Sequence, residues 1–342
     1  MQFGIFDHFD ASGQPLREFF ADRLKLIEAY DRLGYYGFHS AEHHATPLGM
    51  APSPSVIHAA IGERTKRIRF GPLVYTLNLY HPLRLSEEIC MLDHLSGGRF
   101  LLGVGRGISP FELKYFGADP AAGQAMYVEA FEVLKKAFAD DVLDHHGEYY
   151  QYTDVPIELH PYQKPHPPIW YGIGNPDSVE WCVANHVNVV ANAPLELMKS
   201  ITDRYHSAWR AAGHPATSIP KIGTSRHMVV ADTDAEALAI ARRGYAMWYA
   251  SFAKLWRKHN AAPRFATYTE DFDDLVRKGQ AIAGTPATVR KIIEDQLTDF
   301  DGNYMLCRFA FGNVTYAESL RSAELFAKEV MPAFVGQRPS AS

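Results

Sequence analysis

Short apolar segments alternate with amphipathic ones along the whole chain, and this rhythm limits the fold more than any motif does. "QFGIF", "GFHSA", "RIRFGPLVY", "FLLGVG", "PIWYGI", "VNVVA", "KIGTSRHMVVA" and "YMLCRFA" read as eight strands. Helical periodicity follows each one. The first helix runs from Leu16 to Leu33, with Phe19, Leu26, Ile27, Tyr30 and Leu33 on its apolar side and Gly34 as its stop. Later helices start at Ser53-Pro54 and Thr285-Pro286, each pair suited to an N-cap and a first turn. The pattern predicts an α/β fold, a single (β/α)8 TIM-type barrel with insertions over residues 1–334, followed by a polar tail at 335–342. A doubly wound sheet is the competing architecture. Residues 140–168, rich in Pro, His and Tyr, read as a long irregular stretch, and 257–280 lacks clear periodicity.

Composition narrows the function classes. The 342 residues are 47% apolar, enough for one large core, and the net charge of −5 is spread without runs of one sign, so neither nucleic acid nor an anionic membrane is expected as partner. The N-terminal "MQFGIFDHFDASG" lacks the parts of a signal peptide, and no window is apolar enough for a membrane span. Cys90, Cys182 and Cys307 are odd in number and far apart, which argues against a disulfide framework or a CxxC metal site. A cytoplasmic setting is the simplest expectation.

In a barrel of this kind, functional groups sit at the C-terminal ends of the strands. "AEHH" places Glu42, His43 and His44 after the second strand. Strand alternation sends Glu42 and His44 one way and His43 the other, and no HExxH pair accompanies them, so no metal site is expected. Acid/base chemistry and plain hydrogen bonding at the barrel mouth both remain open. "GVGRG" after the fourth strand combines backbone room at Gly105 and Gly107 with the permanent cation of Arg106. "GIGNPDS" after the fifth strand sets Gly174, Asn175 and Ser178 at a helix start suited to an anion, although Asp177 would repel one. Arg84 has Glu87 and Glu88 nearby as ordinary ion-pair partners.

Together, "GF" then "EHH" (37–44), "PSVIHAAIGERTKRIRFG" (54–71), "HPLRLSEEICMLDHLSGGRFLLGVGRG" (81–107), "YFG" (115–117) and "SVEW" (178–181) resemble the bacterial luciferase-like flavin-dependent monooxygenases, in particular the luciferase alpha subunit. The resemblance implies an enzyme that uses reduced FMN and O2, through a C4a-(hydro)peroxyflavin, to oxidise a small organic substrate such as an aldehyde or ketone. A separate flavin reductase would supply the reduced FMN, and a homo-oligomer, a dimer, is the family habit. It also implies roles: His43 as the active-site histidine with Glu42 and His44 beside the flavin, Arg106 on the phosphate with Gly105 and Gly107 giving room, and the backbone around Gly174, Asn175 and Ser178 gripping the phosphate. Leu73 and Val74 match a strand end where the family often has a non-prolyl cis peptide.

Two departures restrain the substrate assignment. Asn78 replaces a proline of the luciferase subunit, and 257–280 does not match its mobile loop. The rival expectations are an F420-dependent hydride-transfer enzyme on the same barrel, a non-catalytic flavin-binding homologue, and a metal hydrolase.

Overall fold

The computed structural model describes residues 1–263 and 268–334. The expected tail at 335–342 lies outside the described residues. Among the described residues twelve strands form: β1 (Gln2–Asp7), β2 (Gly37–Ser40), β3 (Arg69–Pro72), β4 (Tyr75–Thr76), β5 (Leu102–Gly105), β6 (Val142–His146), β7 (Gln151–Pro156), β8 (Ile169–Gly172), β9 (Asn188–Ala191), β10 (Ile222–Val230), β11 (Ala281–Gly284) and β12 (Tyr304–Arg308). All except the β6/β7 pair belong to one parallel sheet, ordered β3-β2-β1-β12-β10-β9-β8-β5-β4 with β11 beside β10. Because β3 and β4 follow one another in the chain, with only Leu73 and Val74 between them, and a bridge joins Phe70 to Phe100 just before β5, the two ends of the order meet and the sheet nearly closes into a barrel. The doubly wound alternative is thereby excluded.

The helices are α1 (Leu16–Leu33), α2 (Pro54–Arg64), α3 (Pro82–Ser96), α4 (Pro110–Tyr115), α5 (Gly123–Ala139), α6 (Val179–Ala184), α7 (Leu195–Ala211), α8 (Asp234–Lys258), α9 (Phe272–Arg277), α10 (Pro286–Asp299) and α11 (Tyr316–Leu325). Their ends follow local chemistry. Gly34 closes α1 at φ 84° and donates its N–H to carbonyls of the last turn, a conformation that a side chain disfavours. Thr233, Thr285 and Thr315 cap α8, α10 and α11 through their hydroxyls. Ser53 stands at the expected N-cap of α2, but its side chain makes no capping bond; two residues on, Ser55 donates to Glu88 at 2.6 Å and ties α2 to α3.

Three segments depart from the sequence expectation. "RIRFGPLVY" is not one strand, because a cis peptide at Leu73-Val74 separates β3 from β4. Residues 140–168 contain an antiparallel hairpin, β6/β7, whose turn is held by the Glu129 carboxylate accepting from the N–H groups of Glu148, Tyr149 and Tyr150. Its His145 pairs with the same carboxylate at 3.1 Å, which holds the hairpin on α5. Within 257–280 lies α9, and β11 follows it directly in "AIAG".

The main core fills the space between sheet and helices, and a smaller cluster, including Phe6, Leu101, Trp170, Tyr304 and Leu306, fills the barrel interior. This plug is the floor beneath the C-terminal mouth. No helix of the described residues is long and apolar enough to cross a membrane.

Candidate active site

The chain leaves β2 at Ser40 and turns, bringing Glu42 into the protein with 7% of its surface exposed. Both oxygens of its carboxylate are used. Oε2 accepts from the Thr76 N–H at 2.7 Å, while Oε1 accepts from the Tyr80 hydroxyl at 2.8 Å and lies 2.8 Å from His44 Nε2. Burial, followed by the Glu42 charge, pushes the Tyr80 hydroxyl up, so it stays a donor. Glu42 thus ties the β2 loop to the segment just after the cis peptide.

His43 points differently. Its Nδ1 lies 3.2 Å from Glu112 Oε1, and Glu112 Oε2 accepts from the His44 N–H at 2.8 Å. Glu112 is set by α4, whose first turn is capped by the Ser109 hydroxyl accepting from the Glu112 N–H. Burial alone would raise the Glu112 carboxyl, but His43 and the His44 N–H outweigh it and hold the group below the usual glutamate range. An ionised Glu112 requires the proton on His43 Nδ1, which leaves Nε2 without a partner among the described residues. The His43 ring stacks on His8 at 5.7 Å, and His8 Nδ1 accepts from Trp248 Nε1 at 3.3 Å. Burial, and then the nearby Arg308 charge, lowers His8 well below the ordinary histidine value and keeps it neutral.

The second part of the site is glycine-lined. A Cβ at Gly105 would sit 2.4 Å from Val74 Cγ2, and one at Gly107, where φ is 86°, would sit 2.6 Å from Thr76 Cγ2. Only glycine lets the loop after β5 lie this close to the cis Leu73-Val74 segment. Asn78 donates to the carbonyls of Arg106 (3.2 Å) and Gly123 (3.0 Å), so the residue that departs from the luciferase pattern pins the backbone carrying Arg106.

The Arg106 side chain is exposed, touches Gln124 at 3.5 Å and forms no ion pair among the described residues. Burial raises the Tyr171 hydroxyl near the end of β8, and the neighbouring Ser178 side chain and Arg106 charge oppose that rise. Gly172 and Gly174 have open space where a Cβ would stand. Asn175 caps the following turn by accepting from the Asp177 N–H at 2.9 Å. The repulsion expected from Asp177 is removed by Arg204, which holds Asp177 at 2.9 Å and Glu180 at 2.9 Å and so draws both acids away. Arg106, Tyr171 and Ser178 therefore form a set of donors able to receive a phosphate.

The structure brings the sequence-selected residues into two adjoining groups: Glu42, His43 and His44 with Leu73 and Val74, and Arg106 with Gly174, Asn175 and Ser178. Arg84 takes the bland role, pairing with Glu88 at 3.1 Å. Sequence reading missed His8, Glu112, Trp248 and Arg308. The available signal was position, since His8 in "FDHF" and Arg308 in "CRFAF" directly follow or end barrel strands. Among the described residues no cluster of three or more His, Cys, Asp or Glu is arranged to hold a metal ion.

Residues 1–300 match the luciferase-like monooxygenases. The chain belongs to that family of enzymes. It is 40% identical over 331 residues to the uncharacterized protein y4wF of Sinorhizobium fredii, covering 97% of this chain and 96% of that one. It is 27% identical over 353 residues to the oxygenase component of flavin-dependent trigonelline monooxygenase from Acinetobacter baylyi, covering 98% and 96%. Among solved structures, the oxygenating constituent of 3,6-diketocamphane monooxygenase from Pseudomonas putida, in complex with FMN, superposes with a TM-score of 0.82 at 25% identity, covering 97% of this luciferase-like chain and 98% of that one. An F420-dependent secondary alcohol dehydrogenase shares the fold, with a TM-score of 0.73 at 17% identity, covering 97% and 98%.

Proposed function

We propose that this luciferase-like enzyme is an FMN-dependent monooxygenase that takes reduced FMN from a separate reductase and inserts one oxygen atom of O2 into a small organic substrate. The observation that carries the reading is the pairing of a phosphate-ready donor set at Arg106, Tyr171 and Ser178 with a glycine-lined shelf at Gly105 and Gly107 that leads to His43. The two ends of a flavin nucleotide fit these two places. The reductase is suggested by the relative whose name marks it as an oxygenase component.

Bound reduced flavin would supply two electrons to O2 and present activated oxygen at its C4a position. One oxygen atom would enter the substrate and the other would leave as water. Within this chain, Arg106 and Ser178 would hold the phosphate, while the Leu73-Val74 segment and Gly105 would bound the ring system. His43, oriented by Glu112, would accept or return a proton at Nε2. Glu42 and His44 act as positioning groups, since every oxygen of Glu42 is engaged in holding neighbours. The aromatic rings of Trp248, Phe252 and Tyr268, within about 5 Å of one another, would exclude water.

Equilibrium titration with FMN, riboflavin and F420 tests the cofactor assignment. FMN is expected to bind more tightly than riboflavin, because only FMN engages Arg106, and F420 more weakly than FMN. Tight F420 binding with poor FMN binding would transfer the chain to the F420-dependent branch.

A further inference from the structure

Arg308, at the end of β12, is 4% exposed. Its Nε donates to Ser225 Oγ at 2.8 Å, and its Nη1 is buried with no partner. No carboxylate pairs with it among the described residues. Two other arginines among the described residues are buried: Arg23 has the Asp7 carboxylate as counter-charge at 3.4 Å, whereas Arg226 on β10 donates to Gln296 Oε1 and the Ser225 carbonyl, keeps Nη2 unpartnered and adds a second uncompensated cation beside Arg308. Removing a guanidinium from water without a counter-charge is costly, and an anion that arrives with a ligand relieves that cost.

The surroundings define the ligand further. The Arg308 guanidinium lies 4.7 Å from the Phe6 ring centroid and 5.8 Å from that of Tyr268. Phe6 leads by ring contact to His8 at 4.9 Å, and His8 stacks on His43 at 5.7 Å. His227, on the neighbouring β10, is fully buried with both ring nitrogens unpartnered, and Trp248 packs against it at 4.6 Å. Burial, then the Arg308 charge, keeps His227 neutral, so it offers one donor and one acceptor rather than a further cation. One free guanidinium edge, one neutral imidazole and flat aromatic walls match a planar two-oxygen anion better than a bulkier dianion.

We propose that Arg308 anchors a carboxylate of the organic substrate, making this oxygenase specific for a small, flat organic acid whose reacting carbon lies toward His43. The proposal rests on the flavin reading only for where the chemistry occurs; the anion subsite stands on its own geometry.

The test compares binding of benzoate and of its neutral isostere benzamide by calorimetry, with and without FMN, in the wild type, Arg308→Gln and Arg308→Lys. Benzoate should bind the wild type at least about tenfold more tightly than benzamide, the scale of one charge-assisted hydrogen bond. Arg308→Gln should abolish that preference with FMN affinity unchanged, and Arg308→Lys should restore part of it. Equal binding of benzoate and benzamide to the wild type would overturn the proposal, whether or not the variants fold. A parallel loss of FMN affinity in Arg308→Gln would also overturn it, by assigning Arg308 to the flavin. Failure of FMN to bind the wild type, with the benzoate preference intact, would remove the flavin reading and leave the anion subsite standing.

Discussion

Glu112 and His43 are 69 residues apart in the chain, yet the Glu112 carboxylate accepts from His43 Nδ1 at 3.2 Å while its other oxygen accepts from the next backbone N–H. This fixes both the tautomer and the tilt of the imidazole, and leaves Nε2 without a partner among the described residues. Removing the charge while keeping the shape should therefore alter a proton-transfer profile before it alters the fold.

For Glu112→Gln, we expect a turnover loss of about tenfold or more and a kcat–pH profile that differs from that of the wild type, since an amide can donate as well as accept and no longer fixes which nitrogen of His43 carries the proton. A pH profile of kcat in the purified variant, supplied with reduced FMN, checks this. An unchanged profile would detach Glu112 from the proton transfer.

For His43→Ala, FMN affinity should stay close to that of the wild type and product formation should fall by about 10²- to 10⁴-fold, the usual contribution of a general acid/base. Titration and turnover on the same preparation separate the two effects. Full turnover would defeat the assignment.

Arg106→Ala should weaken FMN by about 10- to 100-fold through loss of charge-assisted hydrogen bonds, and leave riboflavin unaffected. Equal loss for both ligands would remove Arg106 from the phosphate.

A fourth expectation concerns stability. Asp10 is fully buried, and burial, opposed by the Arg23 charge and reinforced by Asp7, pushes its carboxyl from 3.8 up to about 7. Its Oδ2 accepts from the Gly312 N–H at 2.6 Å. The folded state therefore holds this proton more tightly than the unfolded state does. The stability linked to it is complete below about pH 4 and is lost as pH rises toward 7, by up to about 1.4 kcal/mol per pH unit. Asp10→Asn keeps an oxygen for Gly312 but cannot ionise, so its stability relative to wild type should rise between pH 4 and 7. Denaturant melts across that range measure the difference, and a constant difference would show that Asp10 is already ionised in the folded protein.

The barrel was legible because each strand carries its own apolar run and each helix its own caps, signals that act within about twenty residues. The hairpin at β6/β7 was not, because two of its inward-facing positions are His145 and Tyr152, which read as neither clearly polar nor apolar, while the apolar Val142 faces out. "AIAG" was hidden as β11 because a strong helix start, Thr285-Pro286, follows at once. At the site, Glu42, His43 and His44 were visible because they are adjacent in sequence. Their partners were not: Trp248 meets His8 across 240 residues, and Arg308 meets Ser225 across 83, contacts that exist only once the barrel closes. Even Glu42, chosen for its chemistry, proves to be held on both oxygens, a fact that spacing could not disclose.

The most direct measurement mixes the protein, loaded anaerobically with reduced FMN, with oxygenated buffer and follows the flavin absorbance on the millisecond scale. The account requires a species that is neither reduced nor oxidised flavin, that outlives the oxidation of free reduced FMN, and that decays faster when substrate is present. Direct conversion to oxidised flavin at the rate of free reduced FMN would contradict it.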